Sequence, residues 1–290
     1  GEGAKHVFIQ KYGNRILMLA TEHCFSNCQY CFRTELLSEE AELNIPALDH
    51  KIEVVAEAVE RNPAIREVIL SGGDPLAISY KGLERIFTTI KASRPDMDFR
   101  IHTRAIAFSP HVFRQELLDV LSEHKVRTYF HITHSYEINE PQREVFARTR
   151  QANVRMYNQT PIIRGINDHE KVVGNLVTDL EKEHVRPVSF FIPDPIKYSA
   201  DFRVPLTKLF ELTDQVRWAL PSWAATFRLV LDTPVGKVRR EDITNWDQAT
   251  GTVQFSREGN EVTYHDLPMD MYQPGDINKM LWKCTHAGKS

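Results

Sequence analysis

Between Ile16 and Ile192 the sequence alternates strand-like and helix-like stretches about six times, and this rhythm restricts the fold more than any other feature. Ile16–Ala20, Val68–Leu70, Phe99–Thr103, Thr128–Ile132, Val154–Thr160 and Val188–Ile192 read as strands. Between them, Asp49–Arg61 sets Ile52, Val55, Ala56 and Val59 on one helical face and is stopped by Asn62-Pro63. Leu83, Ile86, Phe87 and Ile90 mark a second helix. Ser109 reads as an N-cap with Pro110 in the first turn, followed by Phe113, Leu117, Leu118 and Leu121. Pro141–Ala152 and the stretch after Asp168 are helix-like as well. Such alternation predicts a parallel sheet with helices outside it, open or closed into a barrel. After Pro205 the pattern changes to one helix, Leu206–Leu220, and then β-rich text through Val262–Tyr264. The expected organisation is a short segment over 1–14, an α/β body over 15–200 and a C-terminal region over 201–290 that completes the site.

Composition narrows the function classes. Lys and Arg total 36 against 39 Asp and Glu, a net charge of −3, which argues against a nucleic acid or an anionic membrane surface as the main partner. No apolar run approaches the roughly 18 residues of a membrane-spanning helix, and Gly1–Gln10 does not read as a secretion signal, so a cytoplasmic location is expected. Four cysteines in 290 residues exclude a disulfide scaffold, yet Cys24, Cys28 and Cys31 are bunched together, apart from Cys284.

In a parallel α/β fold the ligand sits beyond the carboxyl ends of the strands, and the unusual residues fall there. The three bunched cysteines follow the first strand and Ser71-Gly-Gly-Asp-Pro75 the second. His102-Thr-Arg104 ends the third, His131 and His134 the fourth, and Asn158-Gln-Thr160 the fifth, while Asp194 follows the sixth. Clustered thiolates suit a soft metal centre. On a four-iron cube, three cysteines leave one iron open to a small ligand. The alternative is a zinc site completed by Cys284 or a histidine, and a metal role for Cys284 with His286 stays open.

Cys24-x3-Cys28-x-Tyr30-Cys31 after a first strand, with Gly72-Gly73-Asp74 after the second, resembles the radical S-adenosylmethionine (SAM) superfamily. The resemblance implies a partial (β/α)6 barrel with a β-rich C-terminal extension, a [4Fe–4S] cluster on Cys24, Cys28 and Cys31, and SAM on the open iron. It places Tyr30 near the adenine and Gly72, Gly73 and Asp74 at the methionine amino group, with His131 on the SAM side. Further motifs are similar to the lysine 2,3-aminomutase family: Tyr12-Gly-Asn-Arg-Ile-Leu-Met-Leu19, Cys31-Phe-Arg33, Glu137-Ile138, Arg164-Gly-Ile-Asn-Asp168 and Asp232-Thr-Pro-Val-Gly-Lys237. That family also uses pyridoxal phosphate (PLP), so Lys237 is implied as the lysine that carries it, with Arg15, Gln159 and Lys11 at its phosphate. Arg33 is implied at the substrate carboxylate, and Asp194 and Asp232 at the distal ammonium of lysine. One departure stands out: the link from Asp232 to Lys237 is shorter than the family's glycine-rich stretch.

The reading is therefore an amino-acid 2,3-aminomutase, L-lysine to β-lysine first and arginine second. Its implied partners are a small amino-acid substrate and a reductant such as flavodoxin or ferredoxin, with homo-oligomers open. Two rivals remain at this level. One is a radical SAM enzyme of this lineage with another reaction, an epimerase, dehydrogenase or other mutase; the other is a non-enzymatic metal-binding module. Without the resemblance, Lys237 is an ordinary turn lysine, Asp194 a turn aspartate between prolines, and Cys284 a free thiol.

Overall fold

The structure is a computed structural model and describes residues 7–31, 47–195 and 199–286. Arg33 lies outside the described residues, as do the side chains of Lys11, Cys284 and His286. In chain order the elements are β1 (Phe8–Tyr12), β2 (Arg15–Thr21), α1 (Leu48–Arg61), β3 (Glu67–Gly72), α2 (Tyr80–Ser93) and β4 (Asp98–Thr103). Then come α3 (Ala105–Phe108), α4 (Gln115–Glu123), β5 (Arg127–Phe130), α5 (Glu140–Gln151), β6 (Met156–Pro161), α6 (Glu170–Lys182) and β7 (Arg186–Phe191). The C-terminal part holds α7 (Leu206–Ala219), β8 (Arg228–Thr233), β9 (Gly236–Val238), β10 (Ile243–Asp247), β11 (Thr252–Arg257), β12 (Asn260–His265) and α8 (Ile277–His286). The chain divides into two compact units, Gly1–His131 with Glu144–Tyr157, and Ile132–Arg143 with Asn158–Ser290.

In the first unit β1 pairs antiparallel with β2, and β2, β3, β4 and β5 follow as parallel neighbours in chain order. Alternation along these strands separates two faces. Ile16, Met18, Val68, Leu70, Phe99 and Ile101 point to one side and are buried. Ile52, Val55 and Val59 of α1 and Leu83, Ile86, Phe87 and Ile90 of α2 are buried with them, at about 1.5–3 kcal/mol for each large side chain fully removed from water. The Phe87 and Phe99 rings meet at 4.7 Å between centroids. The other face is polar and aromatic. Arg100 pairs with Glu67 at 2.9 Å and lies over Tyr129, His102 stacks on Tyr129 at 5.2 Å, and Tyr129 stacks on Tyr157 at 4.7 Å. A sheet face of this kind is what lines a polar ligand site rather than a dry core.

In the second unit β7 and β8 are parallel, β8 and β9 form an antiparallel hairpin, and β10, β11 and β12 form a separate antiparallel sheet. Its helices bury one stripe each, Val172, Val173, Leu176, Val177 and Leu180 on α6 and Leu206, Leu209, Phe210 and Val216 on α7. His169 caps α6, its Nδ1 accepting from the Lys171 amide at 3.2 Å.

Two expectations need correction. Ser109 makes no side-chain cap, and the helix read from Ser109 onward is broken: a 3-10 turn at Pro110–Val112 ends where Phe113 (ψ 59°) and Arg114 (ψ 165°) leave the helical region, and α4 starts only at Gln115. Within the short segment expected over 1–14, Phe8–Tyr12 forms β1, and its pairing with β2 supplies the edge of the sheet.

Candidate active site

The cysteines sit on the loop that leaves β2, with Cys24 exposed and Cys28 and Cys31 half-buried. The Cys31 amide donates to the Cys28 carbonyl at 3.0 Å, a single turn that brings these two residues close. Ser26 Oγ lies 3.3 Å from Cys28 Sγ. Partial burial, then the negative charges of Asp74, Cys31 and Cys28, push the Cys24 thiol above its ordinary value, while a backbone hydrogen bond opposes them. Three sulfurs beside a carboxylate are a donor set that calls for a strongly cationic, thiophilic centre, which fits an iron–sulfur cluster. Among the described residues no three His, Cys, Asp or Glu side chains converge on one metal-ion position; a cube spreads its ligands over several irons.

The turn after β3 holds that loop. Gly73 N–H donates to the Thr21 carbonyl at 2.5 Å and Asp74 N–H to the His23 carbonyl at 2.7 Å. Gly72 has φ +103°, and a methyl group at Gly72 or Gly73 would collide with the Thr21 or His23 carbonyl oxygen. The glycines are thus required by backbone meeting backbone. The Asp74 carboxylate is buried, 6% exposed, and accepts from the Leu76 amide (3.0 Å), the Thr103 hydroxyl (2.8 Å), the Arg104 amide (2.8 Å) and the Ala105 amide (3.0 Å). Burial pushes its pKa up and these donors oppose it. What Asp74 holds is the exit of β4. There Arg104 donates to the His131 carbonyl, and its guanidinium lies 5.8 Å from the Tyr30 ring centroid and 5.0 Å from that of Phe108. His131 Nε2 is 3.3 Å from His102 Nδ1. The first unit therefore gathers Tyr30, Asp74, His102, Arg104 and His131 around the ends of β3, β4 and β5. In the β1–β2 hairpin Arg15 lies over the ring of Tyr12 at 4.0 Å, and its buried Nε has no hydrogen-bond partner among the described residues.

The second unit carries the remaining residues. Gln159, on β6, is buried. Ile192 N–H donates to the Val230 carbonyl, continuing the β7–β8 register, so Asp194 and Asp232 lie at the same end of neighbouring strands. Asp194 acts on Tyr264: burial pushes that hydroxyl up to about 12, Arg203 opposes it, and Asp266 and Asp194 add negative charge. The short Asp232–Lys237 link is a hairpin in which Thr233 pairs with Gly236 and Asp232 with Lys237. Gly236 takes φ +114°, and Thr233 Oγ1 donates to its carbonyl at 2.6 Å. Lys237 Nζ lies 4.7 Å from the centroid of the Phe191 ring.

Sequence reasoning missed the structural use of several motif residues. Asn158 accepts from the Ile132 amide at 2.8 Å and donates to its carbonyl at 3.1 Å. Asn167 accepts from the Ile163 amide and donates to the Thr133 and Pro161 carbonyls. Asp168 accepts from the Gly165 amide at 2.7 Å and from the Tyr272 hydroxyl at 2.9 Å. Asn and Asp in loops after strands are the signal that could have found them, because short polar side chains substitute there for missing backbone partners.

The sequence profile of the Radical SAM superfamily matches residues 18–175. A Treponema pallidum protein named "Putative L-lysine 2,3-aminomutase" is 32% identical over 269 residues, covering 90% of this chain and 74% of that one. The chain belongs to the lysine 2,3-aminomutase family of radical SAM enzymes. The L-lysine 2,3-aminomutases of Acetoanaerobium sticklandii and Clostridium subterminale are 32% and 28% identical, and the chain spans 62% and 63% of their lengths. A solved radical SAM methyltransferase from Sphaerobacter thermophilus superposes with a TM-score of 0.54 at 12% identity, over 77% of this chain and 67% of that one. That likeness is one of fold, the partial (β/α)6 barrel of radical SAM proteins. Membership implies a [4Fe–4S] cluster and SAM as cofactors, and the three cysteines after β2 are a thiolate set chemically suited to such a cluster. Among the described residues no helix is long and apolar enough to cross a membrane.

Proposed function

We propose that this enzyme is a PLP-dependent amino-acid 2,3-aminomutase that moves the α-amino group of L-lysine to Cβ. The observation that carries the reading is the hairpin that sets Lys237 directly across from Asp232, with its ammonium against the Phe191 ring. A lysine beside a flat aromatic face suits a planar, aldehyde-bearing cofactor, and the acid one strand away suits a cationic substrate. The buried Arg15 Nε offers a donor suited to a phosphate, and Gln159, buried on β6, offers a side-chain amide. Arg33 is proposed to grip the substrate carboxylate and Lys11 to support the phosphate. Asp194 and Asp232, at the same end of β7 and β8, hold the distal ammonium, since a charge withdrawn from water needs opposite charge around it.

When bound, the cluster and SAM supply a carbon radical that removes a substrate hydrogen, and PLP supplies a conjugated system that spreads the unpaired electron during nitrogen migration. The residues of the chain bind, orient and exclude water. Tyr30 and Arg104 flank the SAM side, His131 and His102 line the polar face below it, and the apolar faces of β2 to β5 seal the far side of the sheet. The electron comes from a reducing partner, and the product leaves with the same atoms as the substrate.

Anaerobic reconstitution tests this reading. About four irons and four sulfides per chain are expected, and borohydride in the presence of PLP should attach the cofactor to the peptide containing Lys237. Incubation with SAM, dithionite and a panel of amino acids should yield a β-amino product from lysine. Failure of PLP attachment, or a product only from another amino acid such as arginine, would sink the corresponding part of the proposal.

A further inference from the structure

Lys51 is a lysine on the apolar stripe of α1. Its side chain is 2% exposed, beside the buried Ile52 and Val55. A long cationic side chain on a helix normally carries its head out to water, and a buried charge persists only when it is paired and hydrogen-bonded. Lys51 Nζ points the other way. It donates to the Leu19 carbonyl at 2.9 Å and to Glu22 Oε1 at 2.5 Å. Leu19 stands where the β2–β3 register shifts, between Leu19 and Thr21, and such an irregularity disrupts the ladder locally. Glu22 is two residues ahead of Cys24.

From the opposite side the β3 turn holds Thr21 and His23 through the amides of Gly73 and Asp74, and the His23 amide donates to Thr21 Oγ1 at 3.2 Å. Residues 19, 21, 22 and 23 are therefore gripped in turn by α1 and by the β3 turn, up to the residue before Cys24. A methionine at position 51 would fill the same apolar space without the cost of desolvating an ammonium.

We propose that Lys51 acts through Glu22 as a positioning residue for the iron–sulfur cluster, fixing the approach to Cys24 so that this thiol is aimed before the cluster assembles. Partners of this outer kind commonly change metal retention by about 10-fold or more when removed. The inference rests on membership of the radical SAM family and is independent of the PLP reading.

The test compares the whole chain with K51M, E22A and the double variant, each reconstituted anaerobically with iron and sulfide. Three quantities are read: the rate at which EDTA bleaches the cluster's visible absorbance, the EPR spectrum of the dithionite-reduced cluster, and the melting temperature of the cluster-free chain. Both single variants should lose the cluster about 10-fold faster than the parent chain and give altered EPR spectra, and the double variant should be no worse than K51M alone. Parent-like bleaching and EPR in both single variants, with only a lower melting temperature, would overturn the proposal and leave Lys51 a structural residue. If a single variant does not fold, the double variant decides on the same two readouts, because it removes both charges and strands neither, whereas E22A alone leaves the buried Lys51 ammonium without its carboxylate. A parent chain that takes up no iron overturns the cluster assignment together with this inference; a loaded parent with unchanged variants overturns the inference alone.

Discussion

The hydroxyl of Thr103, the last residue of β4, donates to both oxygens of the Asp74 carboxylate, at 2.8 and 2.9 Å. This pair joins the turn that faces the cysteine loop to the end of the next strand, and backbone amides of Leu76, Arg104 and Ala105 complete the shell. The cysteine loop is therefore seated on a base built from two strand ends.

That base tolerates no added volume on the loop side. Gly73→Ala would force the new methyl group into the His23 carbonyl. The expected cost is about 1–3 kcal/mol in denaturant unfolding, with lower iron content after anaerobic reconstitution. An alanine variant with parent-like stability and iron content would contradict the close approach described.

The C-terminal segment is tied to the Arg164–Asp168 turn through one carboxylate. Asp168 is 8% exposed and receives the Gly165 amide and the Tyr272 hydroxyl. Tyr272→Phe should cost about 1 kcal/mol, and Asp168→Ala more, since it strands buried donors. Hydrogen exchange should show faster opening around Tyr272–Gly275 in both variants. Unchanged protection there would argue that other contacts hold the segment.

His124 gives stability a pH dependence. It is 8% exposed, and its Nε2 has no hydrogen-bond partner among the described residues. Burial, and then the nearby Lys91 charge, lower its pKa below the ordinary 6.5. The folded chain thus holds this proton less tightly than the unfolded chain does. The stabilisation is complete above pH 6.5 and falls away as pH drops through the unfolded value toward the lower folded one, by at most about 1.4 kcal/mol per pH unit. Urea midpoints measured between pH 7.5 and 5 should fall more in the parent chain than in His124→Asn. Parallel curves would rule out His124 as the source.

The proposed role of Asp232 and Asp194 can be tested by separating substrate binding from chemistry. If they hold the distal ammonium, Asp232→Asn should raise KM for lysine about 10-fold, roughly 1.4 kcal/mol, and should change turnover of a substrate with a neutral side chain far less. An equal effect on both substrates would place Asp232 elsewhere in the mechanism.

Much of the fold was legible because its elements carry strong periods. The apolar spacing of Ile52, Val55 and Val59 and the strand text Val68–Leu70 lie inside α1 and β3. The cysteine spacing and the Gly-Gly-Asp turn were legible because close backbone approach and thiolate chemistry leave narrow residue choices. Other features were hidden by non-local causes. The break at Phe113–Arg114 follows from backbone angles that propensity does not fix. Lys51 reads as a polar interruption in an apolar face until Glu22 and Leu19, distant in sequence, are seen beside it. The Gly-Gly-Asp turn reads as a SAM-side turn, and the enclosure of the Asp74 carboxylate by the end of β4 depends on Thr103 and Arg104, about thirty residues further on.

The two-residue turn at Pro234 and Val235 has a consequence for how this pocket can vary. Along an extended strand, neighbouring side chains point to opposite faces. Adding a single residue to the turn, if the pairing simply slipped by one, would carry Lys237 to the other side of β9 and leave Gly236 facing Asp232. Adding two would keep the lysine on its face but move it one repeat along the strand. Changes in the length of this link are therefore coarse steps, and fine adjustment of the pocket must come from side-chain substitution around a hairpin of fixed length.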